Sequence, residues 1–241
     1  MGATLAPLRV YRQQGHELIV VDGGSNDDTI SIARAHADQV LRTTSGRAHQ
    51  MNRGIEVAKG DVLLFLHADT RLPPDALEII IDRVINGYYW GRFNVRLTGQ
   101  HFMFRIIERM MNLRSCLTGV ATGDQAIFVS RECTDIVGHY PEVPLMEDVL
   151  YSKRLRTLGW PACVRLSAVT SSRRWENRGI LRTMLLMWRL RLLLFFGVPT
   201  EKLAQQYHRA DLDQVYGKRD SGLYQGTNRG SSEDAVDASH L

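Results

Sequence analysis

Three clusters of polar residues could do chemistry, and each sits where an apolar segment stops. The first is His67, Asp69 and Thr70, which follow the five consecutive apolar residues Val62 to Leu66. Such a run is too short for a free-standing helix and fits a strand buried on both faces in the middle of a parallel sheet. The carboxyl end of that strand is where open α/β sheets bind ligands, so a carboxylate there is placed to hold a metal. Capping of the next helix, announced by Pro73 and Asp75, is the other use for Asp69 or Thr70. The second cluster is Asp22 with Gly23 and Gly24. Its carboxylate either hydrogen-bonds a ribose or base that the two glycines allow to come close, or folds back as an Asx turn. The third is Glu147-Asp148, at the start of an apolar-periodic helix (Val149, Leu150, Leu155, Leu158), where two acids are either dipole partners or a general base with its neighbour.

The elements that must position these residues alternate. A helix over residues 3 to 14 carries Leu5, Leu8, Val10 and Tyr11 at helical spacing and ends at Gly15. Glu17 to Val21 is a strand, a helix starts near Asp27, and Ser25 with Asp28 makes a capping box. Gln39 to Leu41 is a short strand, and Arg47 to Lys59 a helix opened by Gly46. The free amino terminus of that helix, with Arg47 on it, is a seat for phosphate or carboxylate. Gly60 closes it before the central strand, and the αβαβαβ order predicts a parallel sheet flanked by helices.

Composition bounds the rest. The chain has 241 residues, 44% hydrophobic and 23% charged, and a net charge of +4, an ordinary balance that favours anionic partners without singling out nucleic acid. Cys116, Cys133 and Cys163 are odd in number and lack C-x-x-C spacing. That speaks against a disulfide framework and a zinc site and predicts a reducing compartment.

Taken together, Glu-Leu-Ile-Val-Val-Asp-Gly-Gly-Ser-Asn-Asp-Asp-Thr (17 to 29), Gly-Arg-Ala-His-Gln-Met-Asn-Arg-Gly (46 to 54) and Gly-Asp-Val-Leu-Leu-Phe-Leu-His-Ala-Asp-Thr (60 to 70) resemble the nucleotide half of a family 2 glycosyltransferase with the GT-A fold, an α/β architecture. Gly123-Asp124-Gln125, Met146-Glu147-Asp148 and Arg174-Trp175 are similar to the acceptor-side motifs of that family, so the likeness spans about residues 3 to 209. The wording is most similar to a bacterial subgroup labelled arsenosugar-biosynthesis glycosyltransferases.

The resemblance implies a nucleotide-sugar donor, an unidentified hydroxyl acceptor, and a divalent metal, Mn or Mg, held by Asp69 and His67. It implies a nucleotide site at Asp22, Gly46, Arg47 and Asn52, and acceptor contacts from Gly123, Asp124, Gln125, Glu147 and Trp175. Asp148 would be the base and Arg174 would face the diphosphate, with inversion as the outcome. Departures from the pattern are visible. Gly23 follows Asp22 where many members have a second carboxylate, His67-Ala68-Asp69 stands for Asp-x-Asp, and Ser171 replaces the glutamine that begins the Arg-Trp motif. Members also begin with an apolar strand and a Pro-containing loop, whereas here the helix at 3 to 14 comes first. The expectation is a sheet with a gap at that place, or direct pairing of strands 17 to 21 and 61 to 66, and hence either a natural start upstream of Met1 or a defective protein. A sugar nucleotidyltransferase and a catalytically silent membrane-associated binding protein are the alternative readings. The first wants a basic glycine-rich loop that is not visible; loss of the first metal carboxylate favours the second.

Two segments bear on location. His101 to Arg114 places Phe102, Ile106, Met110 and Leu113 on one face, and Ile180 to Phe196 is more apolar still but broken by Arg182, Arg189 and Arg191. Neither can span a bilayer, and basic amphipathic helices either pack on the domain or lie in a membrane interface. The expected organisation is a GT-A domain over 1 to 177, basic apolar helices over 178 to 210 and a polar, disordered tail over 211 to 241. The expected location is cytoplasmic, with contact to an anionic membrane surface at its inner face.

Overall fold

A computed structural model describes residues 2–210; the tail expected over 211 to 241 lies outside them. The chain opens with α1 (Gly2–Leu5), a 3₁₀ turn (Ala6–Leu8) and α2 (Arg9–Gln13). The expected single helix is broken at Pro7, whose ring and missing N–H interrupt regular α geometry. Then come β1 (Ile19–Asp22), α3 (Thr29–His36), β2 (Gln39–Arg42), α4 (Arg47–Val57), β3 (Val62–Leu64), β4 (Thr70–Arg71) and α5 (Ala76–Ile85). The second half contains β5 (Trp90–Leu97), α6 (Phe102–Thr118), β6 (Phe128–Ser130), α7 (Arg131–Val137), α8 (Glu147–Leu155), β7 (Ala162–Thr170), α9 (Arg173–Arg178) and α10 (Ile180–Phe195). Residues 200 to 210 are again helical.

The strands form two sheets. β1 and β2 pair in parallel, and a five-stranded mixed sheet runs in the order β3-β6-β5-β7-β4, with β5 and β7 parallel and the other pairs antiparallel. β3 is therefore an edge strand of three residues, not the middle of a parallel sheet: its run continues to Leu66, but only one side finds a partner. β1 and β3 do not pair, so of the two outcomes expected the structure adopts the gap. On the open side of β1, the Val21 carbonyl accepts a hydrogen bond from Gln50 Nε2 of α4 at 2.9 Å. Leu5 and Leu8 cluster with Val20 and Leu66, and Thr4 Oγ1 donates to the Ala68 carbonyl at 2.7 Å. The opening helices thus cover the apolar side of the gap and tie it to the end of the β3 segment.

Apolar clusters tie these elements together. Phe65, Trp90, Tyr140 and Tyr151 join Ala48 and Ile55 of α4, with Tyr140 stacked on Tyr151 at 3.9 Å between ring centroids. Ala76 and Ile80 of α5 cover Phe93, Phe128 and Val164 on the other face. Leu190 of α10 with Leu203 and Tyr207 packs on Val120, Met146 and Val149, which lays the C-terminal helices against the start of α8. Among the described residues no helix is long and apolar enough to cross a membrane.

Cys116 at the end of α6 and Cys163 at the start of β7 form a disulfide across 6.0 Å between Cα atoms, leaving Cys133 free and buried. This corrects the expectation of unpaired thiols. The two cysteines are 47 residues apart, and only the packing of α6 alongside β5 and β7 brings them together, which spacing cannot reveal.

Candidate active site

The amino terminus of α8 is the centre of the site. Asp148 Oδ2 accepts from the Gly123 N–H at 2.8 Å and Oδ1 from the Val149 N–H at 2.7 Å, so both oxygens are held in one orientation. Glu147 beside it is buried and lies 3.7 Å from Arg47 Nη1 at the start of α4. Burial raises the Glu147 pKa and the charge of Asp148 adds to it, against the opposing pull of Arg47. Burial works against the Arg47 charge, but Glu147, Asp148 and Asp124 outweigh it and raise its pKa.

The turn Gly123–Gln125 supplies the opposite wall. His67 Nδ1 lies 3.4 Å from Asp124 Oδ1. Burial pushes the Asp124 carboxyl up, yet the His67 hydrogen bond and charge, with Arg47 and Arg174, bring its pKa below the ordinary value. A Cβ on Gly123 would stand 2.3 Å from His67 Nε2, so a glycine is required for the imidazole to reach this place. Ala126 (φ 47°) and Met146 (φ 67°) are the non-glycine residues at positive φ among those described, and each adjoins a site segment. Left-handed backbone at such residues costs about 1–2 kcal/mol apiece, strain of the kind that clusters at functional sites.

His67, Gly123, Asp124, Arg47, Glu147, Asp148 and Arg174 are thus brought to one place. Arg174 sits over the Tyr207 ring at 6.0 Å, and Arg178 donates to the Tyr207 hydroxyl at 2.9 Å. Other expected residues have internal contacts of their own. Asp22 is buried and accepts from the Gly24 and Ser25 N–H groups at 3.0 Å each, the Asx-turn alternative, and its pKa is lowered chiefly by Ser25. Gly46 starts α4 at φ 141°, a conformation open to glycine. Asn52 exchanges two hydrogen bonds with the backbone of Tyr140, at 3.0 and 2.8 Å. Gln125 is fully buried and closes a capping box with Thr122. Trp175 packs on Leu97, Phe104 and Ile107 under α6. Tyr207, Arg114 and Arg191 give no site signal in the sequence, since each looks there like one residue of an amphipathic helix.

Asp69 is exposed in the turn after β3 and makes no hydrogen bond or ion pair among the described residues. No group of three His, Cys, Asp or Glu residues among those described could cage a metal ion. One free carboxylate fits the mode in which Mg²⁺ or Mn²⁺ is held by one or two carboxylates and the phosphates of a substrate.

The profile of glycosyl transferase family 2 matches residues 3–132, more than half of the chain. The chain belongs to glycosyltransferase family 2. A PGL/p-HBAD biosynthesis glycosyltransferase of Mycobacterium bovis is 43% identical over 63 residues, 23% of this chain and 25% of the relative. An undecaprenyl-phosphate 4-deoxy-4-formamido-L-arabinose transferase of Aeromonas hydrophila is 29% identical over 83 residues, 31% of this chain and 26% of that protein. The matched stretch therefore spans about a quarter of these curated relatives. Among solved structures, the Pyrobaculum calidifontis mannosyltransferase PcManGT in complex with GDP-Man and Mn²⁺ superimposes with a TM-score of 0.56 at 17% identity, over 91% of this chain and 70% of its own. S. aureus TarS 1-349 gives 0.51 at 13%, over 94% and 72%. The fold of this family 2 member is that of the GT-A glycosyltransferases.

Proposed function

We propose that this chain moves a glycosyl group from a nucleotide-sugar donor to a hydroxyl acceptor, with inversion. The observation that carries the reading is the double hydrogen bonding of Asp148, which fixes one carboxylate among Arg47, Glu147 and the His67–Asp124 pair, with Arg174 acting on Asp124. Asp148 takes the proton of the acceptor hydroxyl as its oxygen bonds to the anomeric carbon. The bond from that carbon to the diphosphate oxygen breaks, and the electron pair leaves with the nucleoside diphosphate. Arg47, at the free amino terminus of α4, and Arg174 meet the charge that develops there. A divalent ion, when bound, supplies further neutralisation of that charge as a Lewis acid, and Asp69 is the residue free to hold it, with His67 orienting Asp124 beside it. PcManGT, similar in fold, is a mannosyltransferase seen with a nucleotide sugar and Mn²⁺, which supports this donor class and metal.

The test is titration of GDP and UDP with and without Mn²⁺. Metal-dependent binding is expected, lost in Asp69→Asn and kept in Asp148→Asn. In the latter, turnover should fall by roughly two to four decades, as for loss of a general base. Unchanged affinity in Asp69→Asn, or collapse of donor binding in Asp148→Asn, would remove the respective role. Absence of any metal-dependent nucleotide binding would instead favour a silent binding protein.

A surface contact belongs to the same reading. Phe102, Ile106, Met110, Leu113 and Leu117 form an exposed stripe on α6, and Leu181, Leu185, Trp188, Leu192 and Phe195 form another on α10. The two helices pack together through Ile107, Met111, Ile180 and Met184. With Arg109, Arg182 and Arg189 on the same helices, this face suits an anionic lipid surface.

A further inference from the structure

Near Asp148, three arginines come together without a carboxylate of their own. Arg92 of β5 is buried and bonded to Asn94 and, at 2.9 Å, to the Asn112 carbonyl, which accounts for its two terminal nitrogens. Arg114 of α6 gives one N–H to the Val120 carbonyl at 3.1 Å, while its Nε and Nη2 are shut off from solvent with no partner. Arg191 of α10 is shut off at Nε and has no hydrogen bond or ion pair among the described residues. Burial, and then the charge of Arg191, lowers the Arg114 pKa to about 10; burial lowers that of Arg191 too. The acid they both feel is Asp148, whose two oxygens already serve Gly123 and Val149; Arg191 also feels Asp124, which is engaged by His67.

Buried donors without acceptors are costly, and charged ones more so, so two like charges left this way mark a place built for something that is not in the chain. The complement of two guanidinium groups is a tetrahedral oxyanion with several acceptor oxygens. In the function proposed above the donor's diphosphate is met by Arg47 and Arg174, whereas Arg114 and Arg191 come from α6 and α10.

We propose that Arg114 and Arg191 form a phosphate seat beside Asp148 that holds a phosphate group carried by the acceptor. The inference rests on the transferase reading for the word acceptor, but the seat itself does not. The phosphate can belong to a small soluble molecule or to a lipid reaching the site along the apolar faces of α6 and α10.

The test is phosphate binding to the full chain without nucleotide or metal, followed by thermal shift and calorimetry at constant ionic strength. Inorganic phosphate and glycerol 3-phosphate should stabilise the wild type, and Arg191→Gln should weaken both by at least about tenfold, the loss expected for a charge-assisted hydrogen bond. Arg191 carries no internal bond, so this variant should fold; Arg191→Lys, which keeps charge but not the fork, should lie between. Mn²⁺-dependent GDP or UDP binding should survive in Arg191→Gln, which separates failure of the seat from failure of the donor reading. A short-chain phosphatidic acid that binds at least tenfold tighter than glycerol 3-phosphate assigns the phosphate to a lipid; equal affinity assigns it to a soluble acceptor. No stabilisation by any phosphate, or equal affinity in wild type and Arg191→Gln, overturns the proposal.

Discussion

Gly123→Ala tests the site without any substrate. The new Cβ would lie 2.3 Å from His67 Nε2 and 2.4 Å from Cε1, against a comfortable separation of about 3.5 Å. The ring or the turn must therefore move by roughly 1.2 Å. His67 has little room to yield, since its side chain is 14% exposed and its other nitrogen faces Asp124 at 3.4 Å. Overpacking of this kind costs about 1–3 kcal/mol, and each kcal/mol lowers Tm by about 2–4 °C in a protein of this size. The decisive comparison is a double-mutant cycle. In a His67→Ala background the clashing atoms are gone, so Gly123→Ala should cost almost nothing and the two changes should couple by about as much as the single clash. Thermal melts of the four proteins measure this directly. Equal destabilisation by Gly123→Ala in both backgrounds would show that the ring is not what demands glycine. A shift of about 1 Å at the Gly123 N–H, which holds Asp148, should also lower turnover by about a hundredfold.

Two further outcomes follow from charge. The Glu147 pKa is raised by burial and by Asp148, so the stability it contributes is full below about pH 4.5 and is lost as pH rises through the folded value. Glu147→Gln should therefore melt above the wild type at pH 8 and with it at pH 4; a variant less stable at pH 8 would show that the Arg47 contact outweighs burial. The α6 and α10 face should carry the protein up with anionic vesicles in flotation, less as salt rises, because each arginine near such a surface contributes about 1 kcal/mol that salt screens. Leu185→Asp with Leu192→Asp should abolish the effect, and a wild type that floats with neither anionic nor neutral vesicles would return these helices to a packing role.

The parts legible in the sequence were those set by local pattern. β1, α4 and α10 fall within about two residues of their expected ends, because alternation, glycine stops and apolar periodicity act within a few residues. What periodicity cannot carry is the partner. Val62 to Leu66 reads as a central parallel strand, yet three of its residues pair, antiparallel and at an edge, with a strand more than sixty positions later. For Asn52 and Gln125 the family resemblance implies ligand contacts, and what it does not show is their structural use: the first bonds the Tyr140 backbone and the second closes a turn with Thr122. Arg114 and Arg191 fail the other way. On an amphipathic helix an arginine reads as solvated, and only the laying of α10 over Val120 and Met146 shuts them in.

The gap between β1 and β3 joins these two kinds of information. Sequence order alone leaves open a gap or a direct pairing, and the side chains decide it. The Val21 carbonyl, which a neighbouring strand would otherwise serve, is satisfied by Gln50, whose amide passes over Gly23 where a Cβ would stand 3.1 Å from its Cδ. An unpaired group there would cost about 1–3 kcal/mol. The same helix carries Arg47 to Glu147 at its amino terminus and Asn52 onto Tyr140, so α4 links the edge of one sheet, the aromatic core and the start of α8. Asp22 completes the arrangement by tying the turn after β1 to its own backbone. The helix that meets the open side of β1 through Gln50 is therefore also the one that brings Arg47 to Glu147.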